Sequence, residues 1–551
     1  MKKHKLKVGL LINSKKIPAW AYRMIELIKE SEYAEIVVLI QNAEEPSPNN
    51  FKKYWQKKSY FLYNLYRNLD RKIFKISPDA FTRKDIRKVT DAPLIEVKPR
   101  ETKFCDWIEG NNLEYIKSHE PDILIRLGFR ILKGEILNLP TYGIWSFHHG
   151  DNSVNRGGPP GFWEVMNKEK QTGVVLQILS NKLDAGLILE RSFSLTDKVS
   201  VNRNINRMYW KALSFVPRNL KRLYEEGDNF LENKRMNNPV LGFYSHKLYR
   251  PPSNGPMVQL IIKTIYAEAK RRLINIIYIE QWGLLFKFNP DSEISTSLYQ
   301  FKELRPPKDR IWADPHVIYE NDLYYIFIEE MTFSENRGWI SVIEMDHQGN
   351  YKTPQRVLEK ETHLSYPFIF KDKGEIYMLP ETKKTRTVEI YKATKFPFEW
   401  SLVQVIMQDV IAVDPTVIKF DEKYWLFVNK VENQGASAHD ELHLYYSDDL
   451  LSNKWNAHPQ NPVISDVKRA RPAGRPFMHK NNLFRPSQNC SYSYGYGITI
   501  NKIEILNETE YSEVPVDFIT PKWSEKYKGI HTLDWNGKLT VADGLKRIRR
   551  F

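Results

Sequence analysis

One pattern recurs about every 50 residues through the second half of this chain of 551 residues. Each copy contains a strand, a turn and a second strand that is rich in aromatic residues. The five copies are anchored at Asp314, Tyr366, Asp414, Arg475 and His531. A period of this length with several strands per copy is typical of β-propellers, so residues 281–551 are predicted to form five blades. The strand at Trp282–Phe288 is predicted to close the ring against the last blade.

Residues 1–230 show a different pattern, in which apolar strands alternate with amphipathic helices. The predicted buried strands are Lys7–Ile12, Glu35–Ile40, Asp122–Leu127 and Gly143–Phe147, with a helix at about Ala19–Lys29. This alternation predicts a Rossmann-like α/β sheet. Residues 231–280 are expected to form a polar connector followed by a helix near Met257–Ile277.

Composition excludes several classes of protein. A hydrophobic content of 42% excludes bulk disorder. No apolar run reaches the ~18 residues that a membrane-spanning helix needs. With only Cys105 and Cys490, the chain has neither a disulfide framework nor a multi-cysteine metal site, and no metal is predicted. The apolar run near the start is too short for a signal peptide, so we expect a cytoplasmic protein, with peripheral membrane contact as an alternative.

The net charge of +15 is concentrated in one segment. Residues 51–100 carry 14 basic and 5 acidic side chains, a net of +9, and aromatics alternate with Lys and Arg over residues 51–75. Phe61, Leu65 and Leu69 recur at helical spacing, as do Leu62 and Tyr66, and this predicts a basic amphipathic helix. The favoured interpretation is a helix packed on its own domain with a solvated basic face. An anionic membrane surface is the next alternative, and nucleic acid is the least favoured.

The first half also contains a series of motifs in a fixed order. They are Pro121–Leu132, Leu139–His148, Arg156–Pro160 followed by Phe162 and Trp163, Thr172–Val174, and Leu183–Leu189. In order and spacing they resemble the folate-dependent formyltransferase family, which includes methionyl-tRNA and nucleotide-sugar formyltransferases. The resemblance implies transfer of a formyl group from 10-formyltetrahydrofolate to an amine.

The resemblance also assigns roles to residues. It implies that His148 stabilises charge or relays a proton, and that Asp184 sets the protonation of His148 and accepts the amine proton. Ser146 stands where the family has Asn, and its hydroxyl can donate one hydrogen bond to an oxyanion. Gly128, Phe129 and Ile131, together with Asp184, are the implied cofactor contacts. The alternative is that His148 and Asp184 are inherited structural residues.

The loop after His148 departs from the family pattern. His149, Asp151 and Asn152 add polar groups there, and Arg156 follows. We predict that these four residues bind the sugar or amine substrate. Changed chemistry is the alternative.

The repetitive half resembles the propellers of family 43-type glycoside hydrolases and, more closely, the N-terminal propeller of plant glucosamine inositolphosphorylceramide transferases. The residues that carry this likeness are Trp312–His316, Tyr445–Leu450, His458–Val463, Ala470–Arg475 and Phe484–Gln488. Since the first strand of each propeller blade lines the axis, we expect a carbohydrate site that includes Asp314, Asp414, Arg475 and His531.

Two alternatives to a carbohydrate site remain open. Each Asp-Pro pair could simply be a strand-entry turn. A hydrolytic centre would need two carboxyl groups facing one cavity, from among Asp314, Asp414, Glu329 and Glu381. Tyr366, which replaces an acid at the second anchor, argues against hydrolysis.

The leading hypothesis is a formyltransferase that acts on a nucleotide- or lipid-linked amino sugar in surface-polysaccharide biosynthesis, with the propeller recognising carbohydrate. One alternative is a non-catalytic carbohydrate-binding or glycan-assembly protein with a degenerate formyltransferase domain, which Ser146 favours. Another is glycosyl transfer or hydrolysis in the propeller.

Overall fold

The computed structural model describes residues 4–43, 58–154, 156–181, 186–238, 248–291 and 293–550. The chain divides into two compact units. The first unit contains residues 1–266 and 432–437, and the second contains residues 267–431 and 438–551.

The first unit alternates strands and helices. Its strands are β1 (Leu6–Ile12), β2 (Lys16–Pro18), β3 (Ala34–Asn42), β4 (Arg83–Asp85), β5 (Leu94–Val97), β6 (Arg100–Glu101), β7 (Cys105–Trp107), β8 (Ile123–Arg126), β9 (Ile131–Lys133), β10 (Ile144–His148), β11 (Gln171–Ile178) and β12 (Leu187–Leu195). The helices are α1 (Ala19–Lys29), α2 (Phe61–Ile73), α3 (Asn111–Ser118), α4 (Phe162–Met166), α5 (Val201–Ala212), α6 (Phe215–Glu226), α7 (Asp228–Met236) and α8 (Asn254–Ile277), the last of which continues into the second unit.

The main sheet of the first unit has the strand order β12-β11-β10-β8-β1-β3-β5. The five strands from β10 to β5 are parallel, whereas β11 and β12 are antiparallel to their neighbours. β1 is apolar along its length because both faces of the sheet are covered: Val8 and Leu10 pack in one core cluster and Leu11 in the other. The carboxyl ends of β8 and β10 therefore lie side by side, the usual place for a site in an open α/β sheet.

The second unit is built from β-strands. They are β13 (Tyr278–Phe288), β14 (Lys302–Leu304), β15 (Arg310–Glu320), β16 (Leu323–Thr332), β17 (Gly338–Met345), β18 (Gln355–Leu358), β19 (Ser365–Asp372), β20 (Glu375–Glu381), β21 (Val388–Lys395), β22 (Glu399–Met407), β23 (Ile411–Phe420), β24 (Lys423–Val431), β25 (Glu441–Ser447), β26 (Asn456–Ala457), β27 (Ile464–Ser465), β28 (Phe477–His479), β29 (Asn482–Asn489), β30 (Gly497–Leu506), β31 (Tyr511–Ile519), β32 (Tyr527–Gly529), β33 (Leu533–Asn536) and β34 (Leu539–Arg549).

These strands form five antiparallel sheets, one for each copy of the repeat. Four are consecutive along the chain, β15 to β18, β19 to β22, β23 to β26 and β28 to β31. The fifth joins the two ends of the unit, because β13 pairs with β34 from Tyr278 opposite Arg549 to Phe288 opposite Leu539. Five successive blades with this closure have the topology of a five-bladed propeller, and β13 closes it as the sequence predicted.

Three of the repeat anchors lie in β-bulges of the innermost strands. Asp314, Tyr366 and Asp414 have φ of 49°, 45° and 49°, and the strand register breaks at each of them. The left-handed conformation is costly for these residue types, so it is kept only where the side chain makes compensating contacts. Asp314 makes them with the neighbouring blades, because its carboxylate accepts hydrogen bonds from Tyr366 N at 3.2 Å and Thr532 Oγ1 at 2.8 Å. The Asp-Pro pairs are therefore bulges inside strands, not turns before them.

Among the described residues, no helix has the length and apolarity that a membrane crossing requires.

Candidate functional site

The first candidate site lies at the carboxyl end of β10. Ser146 and His148 are two residues apart on this strand, so their side chains lie on the same face of the sheet. Ser146 is buried, and His148, the last residue of the strand, is half-buried. The predicted oxyanion donor and proton relay are thus adjacent at the strand edge.

Arg126, which the sequence analysis did not single out, lies beside Ser146 on the neighbouring strand. Its Nε donates a hydrogen bond to Ser146 Oγ at 2.9 Å, and its Nη1 donates to the carbonyl oxygens of Arg130 at 2.9 Å and Phe129 at 3.3 Å. The available signal was a cation at the end of an otherwise apolar strand. A guanidinium here places a positive charge between Ser146 and the predicted cofactor loop.

The predicted cofactor loop is held tightly against the end of β1. A Cβ atom at Gly128 would lie 2.5 Å from Asn13 N, so only glycine fits. Phe129 has a φ of 64°, donates its N–H to Asn13 Oδ1 at 2.7 Å and buries its ring in the core. Ile131 is half-buried in β9. Phe129 can therefore contact a ligand only through its backbone.

His149 is enclosed by aromatic rings. Its imidazole stacks on Tyr209 with ring centroids 3.8 Å apart, and Trp20 meets it edge-on at 5.8 Å. Its Nε2 is buried and has no hydrogen-bond partner among the described residues. Burial lowers the pKa of His149 to about 3, so the ring is neutral at physiological pH.

The other polar residues of this loop hold the loop together. Asp151 accepts hydrogen bonds from Ser153 N at 3.0 Å and Ser153 Oγ at 2.6 Å. Asn152 is buried; its Oδ1 accepts from Arg191 at 3.0 Å, and its carbonyl accepts from Arg156 Nε at 2.9 Å. Substrate binding by these residues stays a prediction. Asp184 lies outside the described residues, so its pairing with His148 also stays a prediction.

The second candidate site is a cavity of about 380 Å³ in the propeller. It is lined by Trp282, Ile311, Ala313, Asp314, Glu329, His363, Ser365, Glu381, Lys383, His439, Arg471, Tyr494 and His531. These residues come from strands and loops of different blades that are far apart in sequence. The cavity brings together Asp314 and His531 from the predicted carbohydrate site, Glu329 and Glu381 from the hydrolytic alternative, and several residues that were not predicted.

His531 links two acids in this cavity. Its Nδ1 pairs with Asp543 and its Nε2 lies 3.6 Å from Asp314 Oδ1. Burial alone would lower the pKa of His531, but the Asp543 and Asp314 carboxylates raise it to about 9. Burial raises the pKa of Asp314 to about 7. The ring also stacks on Trp282, with centroids 4.0 Å apart and planes 7° from parallel.

Glu381 and Arg471 form the other charged group in the wall. Glu381 Oε2 lies 3.6 Å from Arg471 Nη2. The Arg471 guanidinium forms a bidentate ion pair with Asp414. Its Nη2 donates a hydrogen bond to Asp414 Oδ1 at 2.9 Å, and its Nε donates one to Asp414 Oδ2. Burial, together with the neighbouring Asp414 carboxylate, raises the pKa of Glu381 to about 8. Glu381 is therefore a buried acid that can hold a proton at neutral pH.

Not all of the predicted axial residues meet in this cavity. Asp414 lies behind the wall, where Gln488 Nε2 also donates to it at 2.7 Å. Arg475 bonds Asp534 at 3.2 Å and lines a different cavity of about 200 Å³. Arg475 is four residues from Arg471 in the chain, and the two line different cavities. Arg471 therefore takes the place in the cavity that the sequence analysis gave to Arg475.

The cavity wall has the chemistry of a polar ligand site. Trp282 and Tyr494 provide aromatic surface, and Arg471 lies 5.0 Å from the centre of the Tyr494 ring. His363 Nε2 contacts Glu329 at 3.2 Å, and this contact raises the pKa of His363. Acids, cations and aromatic faces in one cavity can bind a hydroxyl-rich ligand by hydrogen bonds and stacking.

Comparison with known proteins finds separate relatives for the two halves. A family model of the N-terminal region of glucosamine inositolphosphorylceramide transferase 1 matches residues 304–544. The enzyme of that name from Oryza sativa subsp. japonica is 37% identical over 228 residues, which is 41% of this chain and 30% of the plant protein. The match therefore spans less than a third of the plant relative.

Part of the N-terminal region is similar to formyltransferases. Methionyl-tRNA formyltransferase of Clostridium tetani is 27% identical over 149 residues, covering 25% of this chain and 47% of that protein. Among solved structures, one match is a family 117 glycoside hydrolase of Zobellia galactanivorans. The two chains are 13% identical, the match covers 49% of this chain and 91% of the hydrolase, and the TM-score is 0.31. The chain thus joins a formyltransferase-like region to a region similar to the N-terminal part of glucosamine inositolphosphorylceramide transferases.

Proposed function

We propose that the first unit transfers a formyl group from 10-formyltetrahydrofolate to the amine of an amino sugar used in surface-glycan biosynthesis, and that the propeller binds the carbohydrate. The observation that carries the proposal is the position of His148 at the carboxyl end of β10, beside Ser146 and Arg126. The similarity to formyltransferases supports the same reaction class.

The residues at this edge fit the polar edge of a reduced folate. The carbonyl oxygens of Phe129 and Arg130 accept hydrogen bonds from Arg126, and backbone carbonyls are the type of acceptor that a pterin N–H requires. The tight packing of Gly128 keeps this backbone in place. When bound, the cofactor supplies an activated formyl carbon.

The chain supplies the proton transfer and the charge stabilisation. When the amine attacks the formyl carbon, the His148 imidazole accepts the proton that the amine loses, and it returns a proton to the leaving nitrogen as the donor's carbon–nitrogen bond breaks. Arg126, which is anchored by Ser146, stabilises negative charge that develops on the formyl oxygen. In this scheme Ser146 orients the guanidinium, a role that a hydroxyl can perform in place of an amide.

The proposal is tested with purified protein, 10-formyltetrahydrofolate and a panel of nucleotide-linked amino sugars. We expect release of tetrahydrofolate with at least one amine and its loss in His148→Ala. His119→Ala, a change at the end of α3 away from β10, is the matched control and should retain activity. If no amine reacts and folate does not raise the melting temperature, the enzyme assignment fails.

A second candidate is glycosyl transfer or hydrolysis in the propeller. The observation that favours it is that two acids with raised pKa, Asp314 and Glu381, line one cavity, because such chemistry needs a protonated and an ionised carboxyl group. The test is incubation with aryl glycosides of varied sugars. Release of no aglycone from any of them would count against this candidate.

A further inference from the structure

Helix α8 presents an apolar face to solvent. Seven of its large hydrophobic side chains are between 42% and 69% exposed: Val258, Ile262, Ile265, Tyr266, Leu273, Ile276 and Ile277. At 3.6 residues per turn they lie within an arc of about 120° on the helix. Such an ordered stripe differs from scattered exposed hydrophobics, which need no explanation.

The exposed stripe is not the face by which α8 packs. Met257 is buried, and Leu260 and Ile261 are partly buried against the core of the first unit. Met257 and Leu260 lie on another side of the helix from Ile262 and Ile265, and Ile261 lies at the boundary, about 40° from Ile265. The helix therefore has a packing face near its start and a separate apolar face that the described residues leave exposed.

Cations flank this apolar face. Lys263 and Lys270 lie next to one edge of the arc and Arg272 next to the other. Four cations and one anion give the helix a net charge of +3. The anion, Glu268, pairs with Arg271 at 2.6 Å and Arg272 at 3.0 Å. An apolar face bordered by cations is the pattern of a helix that lies in a membrane interface.

Helix α2 carries a second stripe of the same kind. Phe61, Leu65, Leu69 and Ile73 recur every four residues and are 57%, 42%, 48% and 69% exposed. Leu62, Tyr63 and Tyr66, which lie along one edge of this stripe, pack on the core of the first unit. Arg71 and Lys72 are exposed in its last turn.

The two helices begin next to each other within the first unit. Asn254, the first residue of α8, accepts a hydrogen bond from Leu62 N at 3.0 Å and donates one to the carbonyl of Lys58 at 2.8 Å. The stripes of α2 and α8 therefore start at the same part of this unit. We call Phe61, Leu65, Leu69, Ile73, Val258, Ile262, Ile265 and Tyr266 the docking surface.

We propose that the docking surface binds an anionic lipid membrane, on which the helices lie without crossing it. Charge decides between the possible occupants. The segment 51–100 has a net charge of +9, cations border the α8 stripe, and Arg71 and Lys72 are exposed in the last turn of α2. An anionic bilayer attracts these cations and accepts the apolar side chains. A second copy of this chain would oppose like charges. The proposal does not depend on the formyl-transfer proposal.

The test is co-sedimentation of the full chain with vesicles of phosphatidylcholine, alone or mixed with phosphatidylglycerol. We expect binding to the mixed vesicles that weakens as salt is raised. The triple variant Ile262→Ser, Ile265→Ser and Tyr266→Ser should bind the mixed vesicles at least about tenfold more weakly than the wild type. These side chains are exposed, so its melting temperature should match that of the wild type.

A matched control tests whether any loss is specific. Val514, Val516 and Phe518 are exposed on β31, and changing all three to Ser removes apolar surface elsewhere. This control should bind vesicles as the wild type does. Equal binding by all three proteins, or equal loss in both variants, would overturn the proposal. So would a dimer in vesicle-free solution that the α8 variant dissociates, because the occupant would then be a second copy.

The two proposals can fail separately. Formyl transfer to a water-soluble amino sugar, measured without vesicles, should be the same in the wild type and in the α8 variant. Loss of vesicle binding with unchanged transfer supports the docking surface. Absence of transfer in both proteins, with normal vesicle binding, would count against only the formyl-transfer proposal.

Discussion

The charge of the propeller cavity depends on pH through the side chain of His531. It is buried between Asp543 and Asp314 and stacked on Trp282. Because both carboxylates favour the imidazolium, its pKa of about 9 lies above the ordinary value of about 6.5. The folded protein therefore keeps His531 charged at pH 7, where the unfolded chain is mostly neutral at this residue.

This raised pKa predicts the sign of a stability change. Stabilisation by His531 is fully present below about pH 6.5 and is lost as pH rises through about 9. The free energy of unfolding of the wild type should fall over this range by up to roughly 3 kcal/mol more than that of His531→Gln. Urea unfolding at several pH values measures this difference in the free energy of unfolding. His347→Gln, which changes an exposed histidine, is the control and should follow the wild-type pH profile. Parallel pH profiles in wild type and His531→Gln would contradict the prediction.

At the scale of single elements, the segment that leads into β28 depends on a backbone conformation that few residues adopt. Gly474 has a φ of 126°, and a Cβ atom there would lie 1.9 Å from the carbonyl oxygen of Leu533. The preceding residue, Ala473, holds the two segments together, because its carbonyl oxygen accepts a hydrogen bond from Leu533 N at 2.8 Å. Close approach of backbone between neighbouring blades therefore requires glycine at this position.

Gly474→Ala is expected to destabilise the protein by roughly 3 kcal/mol or more, because backbone atoms must move to admit the methyl group. Gly537→Ala is the matched control. Gly537 also has a positive φ, 59°, but no described atom lies within 4 Å of its added Cβ, so its cost should be about 1 kcal/mol. Urea unfolding of the full chain measures both. Similar losses in the two variants would show that space between blades is not the cause.

Helix α2 shows what local pattern can and cannot predict about an element. The spacing of Phe61, Leu65 and Leu69 predicted an amphipathic helix, and α2 covers Phe61–Ile73. The favoured interpretation had the helix packed on its domain with a solvated basic face. The structure packs the helix on its domain through Leu62 and Tyr66, as that interpretation expected, and leaves Phe61, Leu65 and Leu69 exposed. Both sides are apolar, so periodicity alone could not decide which of them is buried.

At the scale of the whole molecule, the two candidate sites lie in different compact units and should respond to different substitutions. Glu381→Gln removes an acid from the propeller cavity, and His148→Ala removes the proposed proton acceptor from the strand edge. We expect Glu381→Gln to reduce propeller-dependent sugar binding or turnover at least tenfold while leaving folate-dependent thermal stabilisation unchanged. Calorimetric sugar titration and melting curves measure the two effects. Loss of folate stabilisation in Glu381→Gln would contradict this separation.

The sequence by itself determined the architecture. A repeat with a strand, a turn and a second strand predicted five blades, and alternating strands and helices predicted the α/β sheet, because strand and helix periodicities are local properties of the chain. It also located His148 and Asp314, through motifs whose residues are neighbours in the chain. Asp184 lies outside the described residues, so its role remains a prediction.

Only the tertiary structure decided which charged residues meet. Arg126 reaches Ser146 across two parallel strands, and Arg471, not Arg475, joins Glu381 in the propeller cavity. The first contact depends on the register of two parallel strands and the second on the packing of neighbouring blades, and they join residues that are 20 and 90 positions apart. No local pattern encodes such pairings, because the free energy of a buried charge depends on partners that folding brings to it from elsewhere in the chain.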